Sequence, residues 1–106
     1  MKIHIKATNL ELTASLKEYV EEKIGSIGKI IKKWDMDGAI EVRVEIGRTT
    51  NHHHKGDVFR AEADLRLPGK ILRAEDENND MHAAIDKVEN VLKREINKYK
   101  SAKSVK

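Results

Sequence analysis

The sequence predicts an α+β domain with the element order β-α-β-β-β-α, in which a four-stranded mixed sheet carries two parallel helices on one face. Three features predict it. Four segments alternate apolar and polar residues, two others repeat apolar residues at every third or fourth position, and a single chain of 106 residues supports one core. Hydrophobic residues make up 39% and aromatic residues 4%, so that core must be built from Ile, Leu, Val and Ala.

In residues 2–7, KIHIKA, Ile3, Ile5 and Ala7 alternate with Lys2, His4 and Lys6, the pattern of a half-buried strand. Thr13 is a candidate N-cap, after which Leu16, Val20, Ile24, Ile27 and Ile31 recur at helical spacing up to about Lys33. Gly25 and Gly28 each weaken that helix by about 1 kcal/mol relative to Ala, so its second half is expected to fray or bend. WDMDG ends it, with Trp34 expected at the edge of the core. AIEVRVEIG turns Ile40, Val42, Val44 and Ile46 inward as a second strand, and RTTNHHHKGD reads as a polar loop. VFRAEADLRL places Phe59, Ala61, Ala63, Leu65 and Leu67 on one face of a third strand. Pro68 and Gly69 turn the chain into a short fourth strand, KILRAE. Asn79 or Asp80 then caps a final helix with the apolar stripe Met81, Ala84, Ile85, Val88, Leu92, Ile96 and Tyr99. A folded domain over residues 1–100 and a disordered tail over 101–106, SAKSVK, complete the reading.

Topology constrains the charges. A crossover helix runs opposite to the strand before it, and the next strand returns parallel to the first. Two hairpin turns leave the fourth strand parallel to the first as well. A last helix folding back over the sheet therefore runs parallel to the first helix, and the C-terminal halves of both meet at one end. Those halves are basic: Lys23 to Lys33 holds four lysines and no acid, and Lys87 to Lys106 holds seven basic residues against Glu89 and Glu95. Residues 75–80, EDENND, hold four acids and no base. Bases near a helix C-terminus complement the macrodipole, but that effect is confined to the last turn, and Lys23 and Lys87 lie before it. At about 100° per residue, Lys87, Arg94 and Lys98 fall within about 40° of one another beside the apolar stripe, a line of cations about 16 Å long. Lys23, Lys29, Lys32, Lys33, Lys87, Lys93, Arg94, Lys98 and Lys100 are therefore the candidate contacts to RNA phosphates.

Other chemistries find little support. The chain has no cysteine, hence no disulfide and no thiolate site. No apolar run approaches a membrane span, and MKIHIKATN lacks the apolar core of a signal peptide, so a soluble cytoplasmic protein is expected. Three consecutive histidines, His52, His53 and His54, point in alternating directions in an extended loop and seldom ligate one ion; no metal and no cofactor are expected. No P-loop or dinucleotide motif is present and no local pattern joins a hydroxyl to a His and an acid, so neither catalysis nor a small-molecule substrate is expected. The open sheet face lacks the aromatics that stack bases in RNA-recognition motifs, which leaves the helices and loops to read backbone and shape.

Three stretches carry a family resemblance: MKIHIKATNLELTASLKEYVEEKI, VFRAEADLRLPGKILRAE and LRAEDENNDMHAAIDKVENVLKREINKYK. Together they resemble the ribosome hibernation-promoting factors, or ribosome-associated translation inhibitors, from Met1 to about Lys100. The most specific part is Asp80-Met81 followed by Ala83-Ala84-Ile85-Asp86, then Arg94 and Lys98. The resemblance implies a sheet-and-helix layout similar to a double-stranded-RNA-binding domain. It also implies binding to the rRNA of the small ribosomal subunit in its decoding region, blocking tRNA and mRNA during stress or stationary phase; a monomer is expected. It carries RNA contact onto Arg94 and Lys98, and by extension onto Lys23 and Lys29. His82 stands where the family often has Tyr, and Val91 where it often has a base. Longer members add a linker and a C-terminal dimerisation domain that these 106 residues do not include, so the chain reads either as a short-form member or as the N-terminal portion of a long one. A stand-alone binder of structured RNA is the alternative reading.

Overall fold

The computed structural model describes residues 1–49, 56 and 58–104. In chain order it contains strand β1 (Lys2–Thr8), helix α1 (Ala14–Gly25), a one-turn helix α2 (Ile27–Ile30), a 3-10 turn (Lys32–Trp34), strands β2 (Glu41–Thr49), β3 (Val58–Leu67) and β4 (Lys70–Asn78), and helix α3 (Met81–Ser104). The sheet order is β1-β2-β3-β4. β1 pairs parallel with β2, and the two following pairs are antiparallel. Four strands in a mixed sheet with helices on one face match the expected α+β architecture.

Alternation along each strand places every second side chain in the core, so inward cross-strand partners such as Val42 and Leu65 are buried together. Val42, Val44 and Ile46 of β2, Ala61, Ala63, Leu65 and Leu67 of β3, and Leu72 and Ala74 of β4 are buried. Ile3, Ile5 and Ala7 of the edge strand β1 are only half-buried against them. The helices cover this face with Leu16, Val20, Ile24, Ile27 and Ile31 on one side. Met81, Ala84, Ile85, Val88, Leu92, Ile96 and Tyr99 cover it on the other. The opposite sheet face is a charged mosaic in which Arg60 pairs with Glu62 and Glu75, Arg73 with Asp64, and His4 with Glu41.

Local chemistry sets the ends. Leu16 N donates to Thr13 Oγ1 at 3.2 Å and His82 N donates to Asp80 Oδ1 at 3.2 Å, so Thr13 and Asp80 cap the two long helices. The first helical segment is broken at Ser26, with the bend falling between the two glycines. Its apolar spacing nevertheless continues, because Ile27 and Ile31 remain buried. At the far end Asp35 joins three segments: Met1 N donates to its Oδ2 at 2.6 Å and Ile40 N to its Oδ1 at 2.9 Å. The amino-terminal charge, then the Ile40 hydrogen bond, hold the Asp35 carboxyl below its ordinary value.

Two expectations are corrected. β4 continues through Asn78, because Glu75, Asp76 and Glu77 sit in ladder register with Glu62, Ala61 and Arg60. The expected tail is helical over residues 101–104, since no Gly or Pro follows Tyr99 to stop α3. The His52–His54 loop lies outside the described residues.

Glycine positions make a paired test. A Cβ on Gly47 would sit 2.8 Å from the backbone oxygen of its β1 partner Thr8, whereas one on Gly28 would meet only the flexible Met1 Cε at 3.7 Å. Gly47→Ala is expected to lower unfolding free energy by about 1–3 kcal/mol through overpacking. Gly28→Ala should raise it by about 0.5–1 kcal/mol through helix propensity. Urea denaturation of both variants checks the two signs.

Candidate nucleic-acid interface

The relative direction of the helices is fixed by the side chains that meet between them. Tyr19 Oη donates to Asp86 Oδ1 at 2.5 Å, Ser26 Oγ lies 2.8 Å from Glu89 Oε2, and the Trp34 and Tyr99 rings meet edge-on at 5.0 Å. Ascending numbers on one side meet ascending numbers on the other, so α1–α2 and α3 run parallel. Lys29, between the Ser26 and Trp34 contacts, and Arg94, between the Glu89 and Tyr99 contacts, therefore share one end of the molecule.

The nine candidate cations fall into distinct groups. Two lie in the groove between the helices, each beside an acid. Lys23 Nζ lies 3.7 Å from Asp86 and over the Tyr19 ring at 5.5 Å, and Lys93 Nζ lies 3.1 Å from Glu89. Lys33 rests over the Trp34 ring at 4.8 Å. Lys98 makes only a 3.5 Å contact with Glu95, exposed on the lysine side, which is worth little in water. Lys100 is half-buried. Lys29, Lys32, Lys87 and Arg94 are exposed and, among the described residues, make no ion pair. Lys87, Arg94 and Lys98 are exposed on α3, as are Asn90 and Asn97.

The groove itself was not visible from the charge count. Glu89 is the one buried charged residue among those described, with 9% of its surface exposed. It is satisfied by Lys93 and by Ser26, whose single proton is shared between Glu89 Oε2 and Lys23 O at 2.7 Å. Ser26 thus ties the break after α1 to the middle of α3. Tyr19, Lys23 and Ser26 on one helix and His82, Asp86, Glu89 and Lys93 on the other repeat at helical spacing. A polar stripe beside each apolar stripe was the available signal. The His82 ring contacts the edge of Tyr19 at a centroid distance of 4.4 Å. Trp34 is half-buried against the core, as expected for a ring closing a helix.

Among the described residues no group of three metal-ligating side chains converges, and no helix is long and apolar enough to cross a membrane. Lys29, Lys32, Lys87, Arg94 and Lys98 thus form an exposed set of cations on the helix layer of an α+β domain. The chain belongs to the Sigma 54 modulation protein / S30EA ribosomal protein family, the family of the ribosome hibernation promotion factors, whose sequence profile matches residues 3–104. Proteins bearing the name ribosome hibernation promotion factor are similar to it. That of Deinococcus radiodurans is 34% identical over 97 residues, covering 92% of this chain and 48% of the relative. That of Lactococcus lactis subsp. cremoris is 34% identical over 104 residues, covering 95% and 50%. The chain spans about half the length of these relatives. Among solved structures, the N-terminal domain of Thermus thermophilus Protein Y is 28% identical with a TM-score of 0.74, covering 93% of this chain and 99% of that one. A ribosomal subunit interface protein from Coxiella burnetii shares the fold at 22% identity and a TM-score of 0.73, covering 95% and 99%.

The interhelical groove makes a pH prediction. The Asp86 hydrogen bond first, then burial and the negative charges of Asp86, Asp80 and Glu89, push the Tyr19 phenol up from 10.0 to about 12. Its raised value favours the neutral phenol, so the stabilisation is complete below pH 10 and is lost as Tyr19 ionises between pH 10 and about 12. NMR titration of labelled tyrosine should place Tyr19 ionisation near pH 12 and move it back towards 10 in Asp86→Asn.

Proposed function

We propose that this chain is a non-enzymatic translation inhibitor of the cytoplasm. It occupies the decoding region of the small ribosomal subunit and excludes tRNA and mRNA during stress or stationary phase. The observation that carries this reading is the parallel helix pair, which brings Lys29, Lys32 and Arg94 to one end with Lys87 behind them on α3, all exposed and, among the described residues, without an ion pair, in a chain of the hibernation-factor family. The names of its relatives support the ribosome as target, and the polar, aromatic-poor open sheet supports a helical rather than a sheet-borne contact.

The mechanism is steric and electrostatic. Lys29, Lys32, Lys87, Arg94 and Lys98 clamp rRNA phosphates from a layer whose position is set by the core beneath it. Lys33 and Lys100 add contacts at the margin. Lys23 and Lys93 serve chiefly to neutralise Asp86 and Glu89, which keeps the helix pair closed and the ridge in place. Phosphate contacts fix register and orientation without reading bases, so recognition rests on the shape of folded rRNA, in the manner of a double-stranded-RNA-binding domain. No bond is made or broken, and the domain acts as a monomer without a cofactor.

If about six phosphates are neutralised, affinity for small subunits should fall on the order of a thousandfold between about 50 and 200 mM salt. Arg94→Glu combined with Lys98→Glu should abolish most binding while leaving the melting temperature within a few degrees, because both side chains face solvent. Sedimentation of purified chain with small subunits measures this directly. Wild-type affinity in the double variant would refute the assignment, and a chain that ignores small subunits but retains structured RNA from an extract would be a stand-alone RNA binder instead.

A further inference from the structure

The β3–β4 turn lies against the last turns of α3. Tyr99 Oη donates to Pro68 O at 2.7 Å and fastens the turn to the helix. Between them is an open recess of about 330 Å³ lined by Pro68, Lys70, Glu95, Lys98 and Tyr99. Lys70 and Lys98 are both exposed, come from different elements and meet only in this recess. Lys70 makes no ion pair among the described residues. Lys98 has Glu95 at 3.5 Å, the one carboxylate lining the recess. β4 begins at the end of the sheet where α1–α2 and α3 finish, so Lys70 continues the outward line of Lys87, Arg94 and Lys98 over the end of the domain.

We propose that this recess seats one further phosphate of a bound RNA backbone, held jointly by the Lys70 and Lys98 ammonium groups. The inference rests on the reading of the helix face as an rRNA contact and extends that contact onto the sheet's own hairpin. The Tyr99–Pro68 hydrogen bond holds the two elements together, so the backbones that carry Lys70 and Lys98 need not be brought together on binding and only the two side chains are ordered. Glu95 opposes the anion and competes with it for Lys98. Because Lys98 also belongs to the helix contact, freeing it from Glu95 would strengthen either site, and Lys70 is the residue that tells the recess from the helix face.

The test measures equilibrium binding of the full chain to purified small ribosomal subunits across a salt series, for wild type, Lys70→Met, Glu95→Gln and the Arg94→Glu, Lys98→Glu double variant. Lys70→Met should weaken binding roughly three- to tenfold and make the slope of log affinity against log salt shallower by about 1. Glu95→Gln should tighten binding severalfold, and both variants should melt with the wild type. Unchanged affinity and slope in Lys70→Met, alongside weakened binding in the Arg94 and Lys98 double variant, would overturn the recess and leave the helix contact standing. Failure of the wild type itself to bind would remove both. Micromolar saturation of the free chain by inorganic phosphate would assign the recess to a free ion and overturn the backbone assignment.

Discussion

Parallel pairing of β1 with β2 is the constraint from which the rest of the molecule follows. A parallel pair needs a crossover, and α1 with α2 supplies it across one face of the sheet. Two antiparallel steps then return β4 to the direction of β1, and α3 folds back over β3 and β4 in the direction of α1. Both helical layers therefore finish at the same end, whatever residues they carry. Lysines placed late in each helix are gathered by topology alone, and the register of the Tyr19–Asp86, Ser26–Glu89 and Trp34–Tyr99 contacts fixes how far the gathering goes.

Between the helices, polar contacts do what apolar packing does beneath them. Glu89 is taken out of water, and leaving it without Lys93 and Ser26 would expose the protein to the cost of an unpaired buried charge. Asp86 is held by Tyr19 and Lys23 in the same way. These pairs remove two cations from the surface budget while orienting the remaining ones outward. The separation is useful: charges that hold the layer together point inward, and charges available to a polyanion point to solvent.

Much of this was legible in the sequence because it rests on periods. Every strand was found by alternation and both apolar helical stripes by their spacing, and the crossover rule turned element order into parallel helices. The break at Ser26 was harder to place because Ile24, Ile27 and Ile31 keep the helical period across it, so only the neighbouring glycines hinted at a bend. The length of β4 was missed because Asp76, Glu77 and Asn78 look like a loop until β3 is placed beside them. In the candidate interface, position along the chain identified the cations but could not show which were already paired. Lys23 and Lys93 lost their availability to acids on α3, one of them across the groove, and Lys70 came to Lys98 only through the tertiary contact of Tyr99 with Pro68.

The central claim is that one face of the molecule, the helical one, meets RNA. Lysine-reactivity footprinting by mass spectrometry, with and without small ribosomal subunits, tests it most directly because lysines occur on both faces. Protection of Lys29, Lys32, Lys87 and Lys98 is expected, with Lys6 on the open sheet remaining reactive. Protection of Lys6 with the helical lysines unchanged would contradict it.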